Sequence, residues 1–95
     1  MEAGRYCVLT TAHVSTATAS SLDEWCSSAA TDRPINVAST VYGWFVPVRE
    51  VDEPTLARLP ADLLAAMKFA RERGFDHILF DCDAGGVEDL PQHNW

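Results

Sequence analysis

Short apolar runs occur at four places in this chain, and two longer segments carry apolar side chains at helical spacing. The four runs predict β-strands over residues 6–11, 35–41, 44–48 and 77–82. The second and third of these strands meet around Tyr42 and Gly43, where the glycine would permit a tight hairpin. Pro47 lacks the N–H group that a strand ladder needs, so we expect it at a strand end, a bulge or an edge.

The two longer segments predict helices with clear start and stop signals. Ser15 or Thr16 can cap the first helix, which should end before Pro34. The second helix should begin near residues 60–62 and end at Gly74. The apolar positions predicted to face inward are Leu22, Trp25, Cys26 and Ala29 in the first helix and Leu63, Met67, Phe69 and Ala70 in the second.

The order of these elements is strand, helix, strand, strand, helix, strand. This order is typical of ferredoxin-like folds with a split βαβ arrangement. We therefore predict a single α+β domain over residues 1–95, with a four-stranded antiparallel sheet and two helices on one face. The other face of the sheet would be wet, covered by the C-terminal tail from residue 83, or used to bind a partner.

The charge balance of the chain excludes some functions. Fourteen acidic residues against seven Lys and Arg give a net charge of -7 and a pI near 4.6, which argues against direct binding of nucleic acid. Acidity that serves only solubility is the simpler explanation of this charge. No apolar run or leader suggests a membrane span or export, so we expect a cytoplasmic protein.

Candidate chemistry is sparse along the chain. Cys7, Cys26 and Cys82 are widely spaced and predict reduced, mostly buried thiols without a disulfide or a zinc site. His13 and His77 lie beside predicted strand ends, where a histidine is ordinarily a polar terminus. The sequence contains no phosphate-binding or dinucleotide-binding glycine motif. We therefore expect no cofactor.

The stretch HILFDCDAGG, residues 77–86, resembles the way a phosphatase of the haloacid dehalogenase type presents two aspartates. That chemistry needs a cation to steady the phosphoryl group, and no Lys or Arg follows Asp83. Asp81, Asp83 and Glu88 or Asp89 could instead ligate a hydrated magnesium ion. A solvated strand end explains the pair more simply, so we predict neither catalytic residues nor a metal site.

The same pair has a second interpretation that requires no chemistry. On an extended strand, the Asp81 and Asp83 side chains would project to one side about 6.5–7 Å apart, which resembles the spacing of phosphates along a nucleic acid. Lys68, Arg71 and Arg73 gather on the second predicted helix, which predicts one acid-rich side. The candidate partner-binding residues are Asp76, Asp81, Asp83, Glu88, Asp89, Glu50, Asp52 and Glu53.

Such a surface would bind a basic groove that normally holds nucleic acid. Trp44 or Trp95, if exposed, could supply the desolvated anchors that charge alone does not provide. The expected partner is therefore a protein, bound by a monomer more readily than by a homodimer.

Three stretches carry a resemblance to a known family: Tyr42-Gly-Trp-Phe45, residues 69–84 and the ending Leu90-Pro-Gln-His-Asn-Trp95. With Thr10-Thr-Ala-His13, they resemble a family of small acidic proteins of unknown function from proteobacteria, phages and plasmids. The chain is also similar to an anti-CRISPR inhibitor of a type I system. That resemblance implies binding to the Cascade subunit that inspects the target DNA.

Three functional hypotheses follow from these observations. The first is a non-enzymatic anti-CRISPR inhibitor that blocks target recognition with an acidic, DNA-mimicking surface. The second is an accessory or interaction protein of a mobile element with another partner. The third is a small magnesium-dependent hydrolase that uses Asp81 and Asp83.

Overall fold

The computed structural model describes residues 1–95 as four strands, three α-helices and one 3-10 turn. Their bounds are β1 (Tyr6–Thr10), a 3-10 turn (Thr11–His13), α1 (Thr16–Ser27), β2 (Ala38–Ser39), β3 (Gly43–Pro47), α2 (Glu53–Leu56), α3 (Ala61–Glu72) and β4 (His77–Asp81). No helix combines the length and the apolar character needed to cross a bilayer.

The termini of the two long helices confirm the sequence signals. The Ser15 hydroxyl accepts the Thr18 N–H at 3.2 Å and caps α1. Pro60 precedes α3, and Gly74 follows it with φ of +82°, a left-handed conformation that glycine adopts without strain. Short α2, capped by the Asp52 side chain, was not expected in the connection between β3 and α3.

The sheet has the strand order β1-β4-β3-β2, and its directions are mixed. β1 runs parallel to β4, whereas β3 runs antiparallel to both β4 and β2. The antiparallel sheet predicted from the sequence is therefore wrong, and the ferredoxin-like arrangement is not confirmed. The error has a physical cause, because the alternation of apolar side chains along a strand is the same whichever way its neighbour runs. The α+β class holds.

The predicted strand over residues 35–41 is mostly not a strand. Only Ala38 and Ser39 pair with β3, opposite Phe45 and Trp44. Ile35 and Val37 are nevertheless buried. Their side chains join the core from an irregular segment, so burial alone produced the apolar pattern that suggested a longer strand.

One face of the sheet packs against the helices and the C-terminal tail. Phe80 and Ile78 of β4 are fully buried there, as are Leu22 of α1 and Leu63 of α3. The prediction that Cys26 and Ala29 of the first helix lie buried is not met, since Cys26 is half-buried and Ala29 is exposed. The cysteines are free, but none of the three is fully buried.

The opposite face of the sheet is left uncovered. Tyr6 and Val8 of β1 are exposed on it, and Phe45, His77 and Leu79 are half-buried. The Phe45 ring stacks on His77 with centroids 4.8 Å apart and meets the edge of Tyr6 at 5.9 Å. The tail therefore does not cover this face.

His13 holds the tail against the helical side of the sheet. It is 2% exposed, and its Nε2 accepts the Val87 N–H at 3.1 Å while Nδ1 lies 2.9 Å from the Pro91 carbonyl oxygen. An accepting Nε2 requires the neutral tautomer in which Nδ1–H donates to Pro91. The Trp95 indole N–H also donates to the Val14 carbonyl. His13 is thus a structural link, which its position after a strand did not reveal.

Asp62 joins the N-termini of α3 and α1. Its carboxylate accepts hydrogen bonds from the Ser15 N–H and the Thr18 hydroxyl, both at 2.7 Å, and from the Leu63 N–H at 2.8 Å. Burial raises the pKa of Asp62, but these hydrogen bonds to the charged form outweigh it, so the pKa lies below its ordinary value.

We expect this shift to make the folded state sensitive to acid. A carboxyl whose folded pKa is depressed stabilises the fold above its unfolded pKa of about 3.9, and the contribution is lost as the pH falls through the folded pKa. Asp62→Asn should reduce the free energy of unfolding at pH 7 by about 1–3 kcal/mol. Urea titrations at pH 7 and pH 3 check this, and an equal cost of the substitution at both pH values would contradict it.

Candidate acidic binding surface

Asp81 ends the central strand β4 and stands between both neighbouring strands. Its register partners are Thr10 in β1 and Gly43 in β3. The chain turns at once, because the Asp81 carboxylate accepts the Asp83 N–H at 2.8 Å and the Asp81 carbonyl accepts the Ala84 N–H at 3.1 Å. Asp83 therefore lies on a turn, and the predicted strand is one residue too long.

This turn changes the spacing of the two acids. One ligand atom each from Asp81, Cys82 and Asp83 lies within 4.8 Å of the others. The expected separation of 6.5–7 Å along a strand is therefore wrong, since the chain is not extended at Asp83. The two carboxylates could bind a hydrated magnesium ion, which takes oxygen ligands and not the Cys82 thiol, but the hydrogen bond within the turn already accounts for the proximity of these atoms.

Exposed apolar side chains lie beside this turn. The Tyr42 carbonyl accepts the Cys82 N–H at 3.0 Å, which joins the β2–β3 hairpin to the acidic turn. Val41 is 93% exposed and Tyr42 54%. We call Asp81, Asp83, Val41 and Tyr42 together the acidic tip. It combines negative charge that no salt bridge neutralises with two apolar side chains that are exposed to solvent.

Gly43 allows β3 and β4 to approach each other beneath the acidic tip. A Cβ atom built on Gly43 would lie 2.1 Å from the Phe80 carbonyl oxygen, far inside van der Waals contact. Its φ is not positive. The glycine is therefore required by close packing of two backbones and not by the hairpin geometry that the sequence suggested.

The other predicted acids lie elsewhere on the molecule. Asp76 precedes β4 at its opposite end, about 16 Å from Asp81 at the usual rise per residue, and its carboxylate accepts the Arg5 N–H. The segment 50–53 leaves β3 at that same end. Within it, hydrogen bonds from the Thr55 hydroxyl and N–H hold the pKa of Asp52 below its ordinary value. The structure thus separates these acids from the acidic tip.

Glu88 and Asp89 lie in the tail, and one of them is neutralised. Asp89 forms an ion pair with Arg73 at 2.7 Å, and the Arg73 guanidinium also stacks over the Phe69 ring. Glu88 is exposed. Of the eight predicted partner-binding acids, Asp89 alone forms a salt bridge with a Lys or Arg.

Of the two tryptophans named as possible anchors, only Trp95 is exposed. Trp44 is buried, and its indole N–H donates to Asp23 at 2.8 Å. Trp95 is exposed, yet its N–H is bonded to Val14 and its ring lies 6.5 Å from that of Trp44. Val41 and Tyr42 are further exposed apolar side chains, and they lie beside the acidic turn. The sequence signal that could have revealed them was the hairpin itself, whose tip must face solvent.

Comparison with known proteins gives one match. A family model described as "Family of unknown function (DUF5983) C-terminal domain" matches residues 6–95. No curated protein and no solved structure matches the chain. The narrower resemblance to an anti-CRISPR inhibitor therefore stays a hypothesis.

Proposed function

Because this chain belongs to the DUF5983 family, whose function is unknown, we propose a function from its surface. We propose that the protein is a non-enzymatic inhibitor that inserts its acidic tip into the basic, nucleic-acid-binding groove of a partner protein. The resemblance described above suggests the partner, a subunit of a type I CRISPR Cascade that inspects target DNA.

The composition of the acidic tip is the observation that carries this proposal. Asp81 and Asp83 form no salt bridge within the molecule, so their charges are available to Lys and Arg of a partner. Val41 and Tyr42 lie beside them and would lose their contact with water on binding. Charge guides the encounter, whereas desolvated apolar and aromatic side chains supply affinity.

The geometry supports competition for a basic groove by local charge. The two carboxylates on one turn concentrate negative charge in a small area. A partner would bind this area with a single cluster of basic side chains. The acidic tip would inhibit by occupying the groove, because it would bind the same Lys and Arg side chains as the DNA. Such a protein needs no bond-making residues.

We expect the wild-type protein to reduce binding of target DNA by purified type I Cascade, measured by fluorescence anisotropy of labelled DNA. Asp81→Lys/Asp83→Lys should raise the half-inhibitory concentration at least about tenfold, because disrupting a charged interface contact costs about 2 kcal/mol or more. Higher salt should weaken inhibition by the wild type.

A matched variant distinguishes the effect of the acidic tip on inhibition from the effect of the protein's net charge. Glu2→Lys/Glu24→Lys changes the charge by the same amount at exposed positions outside the acidic tip, and we expect it to inhibit nearly as well as wild type. Equal inhibition by both double variants would exclude the acidic tip as the binding surface. No inhibition by a folded wild-type protein would exclude Cascade as the partner.

An interaction with another partner, or with a second copy, is the alternative. Strand β1 is an edge strand, because it pairs with β4 alone, and its exposed Tyr6 and Val8 lie on the uncovered sheet face. An unprotected edge of this kind can extend a sheet between two chains. Sedimentation velocity distinguishes a dimer formed in this way from the monomer that the first proposal uses.

A further inference from the structure

A cleft of about 530 Å³ opens beside β3, at the end of the strand remote from the acidic tip. Phe45, Pro47 and His77 line it from the uncovered sheet face, and Arg33 and residues 35–38 line it from the segment that leads into β2. Cavities of roughly 300–1,000 Å³ are the usual size for small-molecule sites. The cleft contains none of the residues assigned above to partner binding.

The short length of β2 creates the cleft. β2 pairs with β3 only at Ala38 and Ser39. If the ladder continued, it would reach Pro47, which has no N–H to donate. The preceding residues therefore diverge from β3, although Ile35 and Val37 still reach the core. A gap is left between the two backbones.

The cleft is positively charged in an otherwise acidic molecule. Arg33 and Arg49 line it, and no Asp or Glu does, although the chain has twice as many acidic residues as Lys and Arg. Neither arginine forms a salt bridge, in contrast to Arg73, which pairs with Asp89. Arg33 donates only to the amide oxygen of Asn36, at 3.1 Å. Two guanidinium groups are thus free to bind an anion.

The rest of the lining is largely apolar and includes an ordered aromatic wall. Met67 and Val51 contribute apolar surface. The Phe45 ring is held by stacking on His77, with the planes 12° apart. A ligand with a flat apolar body could pack against the Phe45 ring, while its charged group could reach the guanidinium group of an arginine. Arginine binds carboxylate and phosphate in a planar, bidentate manner.

We propose that this cleft binds a small organic anion, with a carboxylate or phosphate held by Arg33 and Arg49 and a planar apolar body against Phe45 and Pro47. The site is independent of the acidic tip, because it lies at the other end of β3 and has the opposite charge. Binding there would make this protein a receptor for a small molecule in addition to any protein partner.

Phenyl phosphate and benzoate test the proposal in the full-length protein, with binding followed by amide shifts in ¹H–¹⁵N spectra. We expect at least one of them to bind with shifts in residues 33–38 and 45–49, and the tighter one identifies the preferred head group. Arg33→Gln/Arg49→Gln should weaken that binding by at least about tenfold, since charge-assisted bonds from two guanidinium groups are lost. Lys68→Gln/Arg5→Gln, with the same change in charge outside the cleft, should leave it unchanged.

Inorganic phosphate and benzyl alcohol complete the test, because the first has only the anionic group of the ligand and the second has only its aromatic body. Both should bind at least about tenfold more weakly than the better organic anion. Equal binding of inorganic phosphate would overturn the role of the apolar wall, and equal binding of benzyl alcohol would overturn the role of the arginines. Absence of shifts in the cleft with either organic anion at millimolar concentration would overturn the site.

Discussion

Replacing His13 with alanine is expected to lower the free energy of unfolding by about 3–5 kcal/mol, through the loss of two buried hydrogen bonds and the cavity that remains. His13 is fully enclosed, and its two ring nitrogens contact Val87 and Pro91 of the tail. A 95-residue domain has only about 5–14 kcal/mol of stability in total. The loss should therefore be evident in urea denaturation followed by tryptophan fluorescence.

The same substitution should loosen the tail before the rest of the domain unfolds. Hydrogen exchange at the Val87 amide is expected to accelerate, since this N–H bonds directly to His13. His93→Ala is the matched control, because the His93 side chain is 36% exposed and its Nε2, 3.9 Å from the Asp62 carboxylate, forms no hydrogen bond. It should cost less than about 1 kcal/mol. Similar losses for the two substitutions would contradict a specific linking role for His13.

Gly43→Ala is expected to destabilise the fold by about 3 kcal/mol, the upper range for overpacking a tight interior. The added methyl carbon would lie 2.1 Å from the Phe80 carbonyl oxygen, which belongs to the backbone and cannot rotate away. β3 and β4 would have to separate at the Gly43–Asp81 register position. For a domain of this size we expect the Tm to fall by roughly 12–24 °C, measured by circular dichroism.

Gly85→Ala provides the control for this prediction. A Cβ on Gly85 meets nothing within 4 Å, and Gly85 has no positive φ. Its substitution should leave the Tm within about 3 °C of wild type, because surface changes of this kind typically shift stability by less than 0.5 kcal/mol. If Gly43→Ala were equally mild, the close approach of β3 to β4 would not be required for folding.

The consequence of Gly43→Ala should extend to the acidic tip. Gly43 follows Tyr42, whose carbonyl accepts the Cys82 N–H. Separating the strands would pull the hairpin away from Asp81 and Asp83, even in the fraction of molecules that stays folded. Under the function proposed above, Gly43→Ala should therefore inhibit Cascade less well than Gly85→Ala at a temperature where both are folded.

Local signals in the sequence were reliable where a few neighbouring residues decide the structure. The Ser15 cap, the proline at the start of α3 and Gly74 at its end occupy their expected places. Pro47 ends β3, as the missing N–H requires. Caps and breakers act over one helical turn or one ladder position, so the residues that cause them are adjacent in the sequence.

Signals that depend on distant partners were misleading or absent. The apolar residues 35 and 37 suggested a strand but reach the core without one. Gly43 suggested a turn, whereas a carbonyl of β4 explains it. Nothing near His13 in the sequence indicates that residues 87 and 91 will surround it. Each of these features depends on residues far apart in the chain.

Composition and local pattern together established an acidic α+β domain and the positions of its main helices, because net charge and helical periodicity are properties of the chain itself. Tertiary packing set the parallel pairing of β1 with β4, the distance between the predicted acids and the arginine-lined cleft. The physical reason is that strand direction and surface charge arise from contacts between segments remote in the sequence. The turn after Asp81 is the clearest case. The Asp83 N–H donates to the Asp81 carboxylate, and the two acids lie close together on a turn instead of being spaced along a strand.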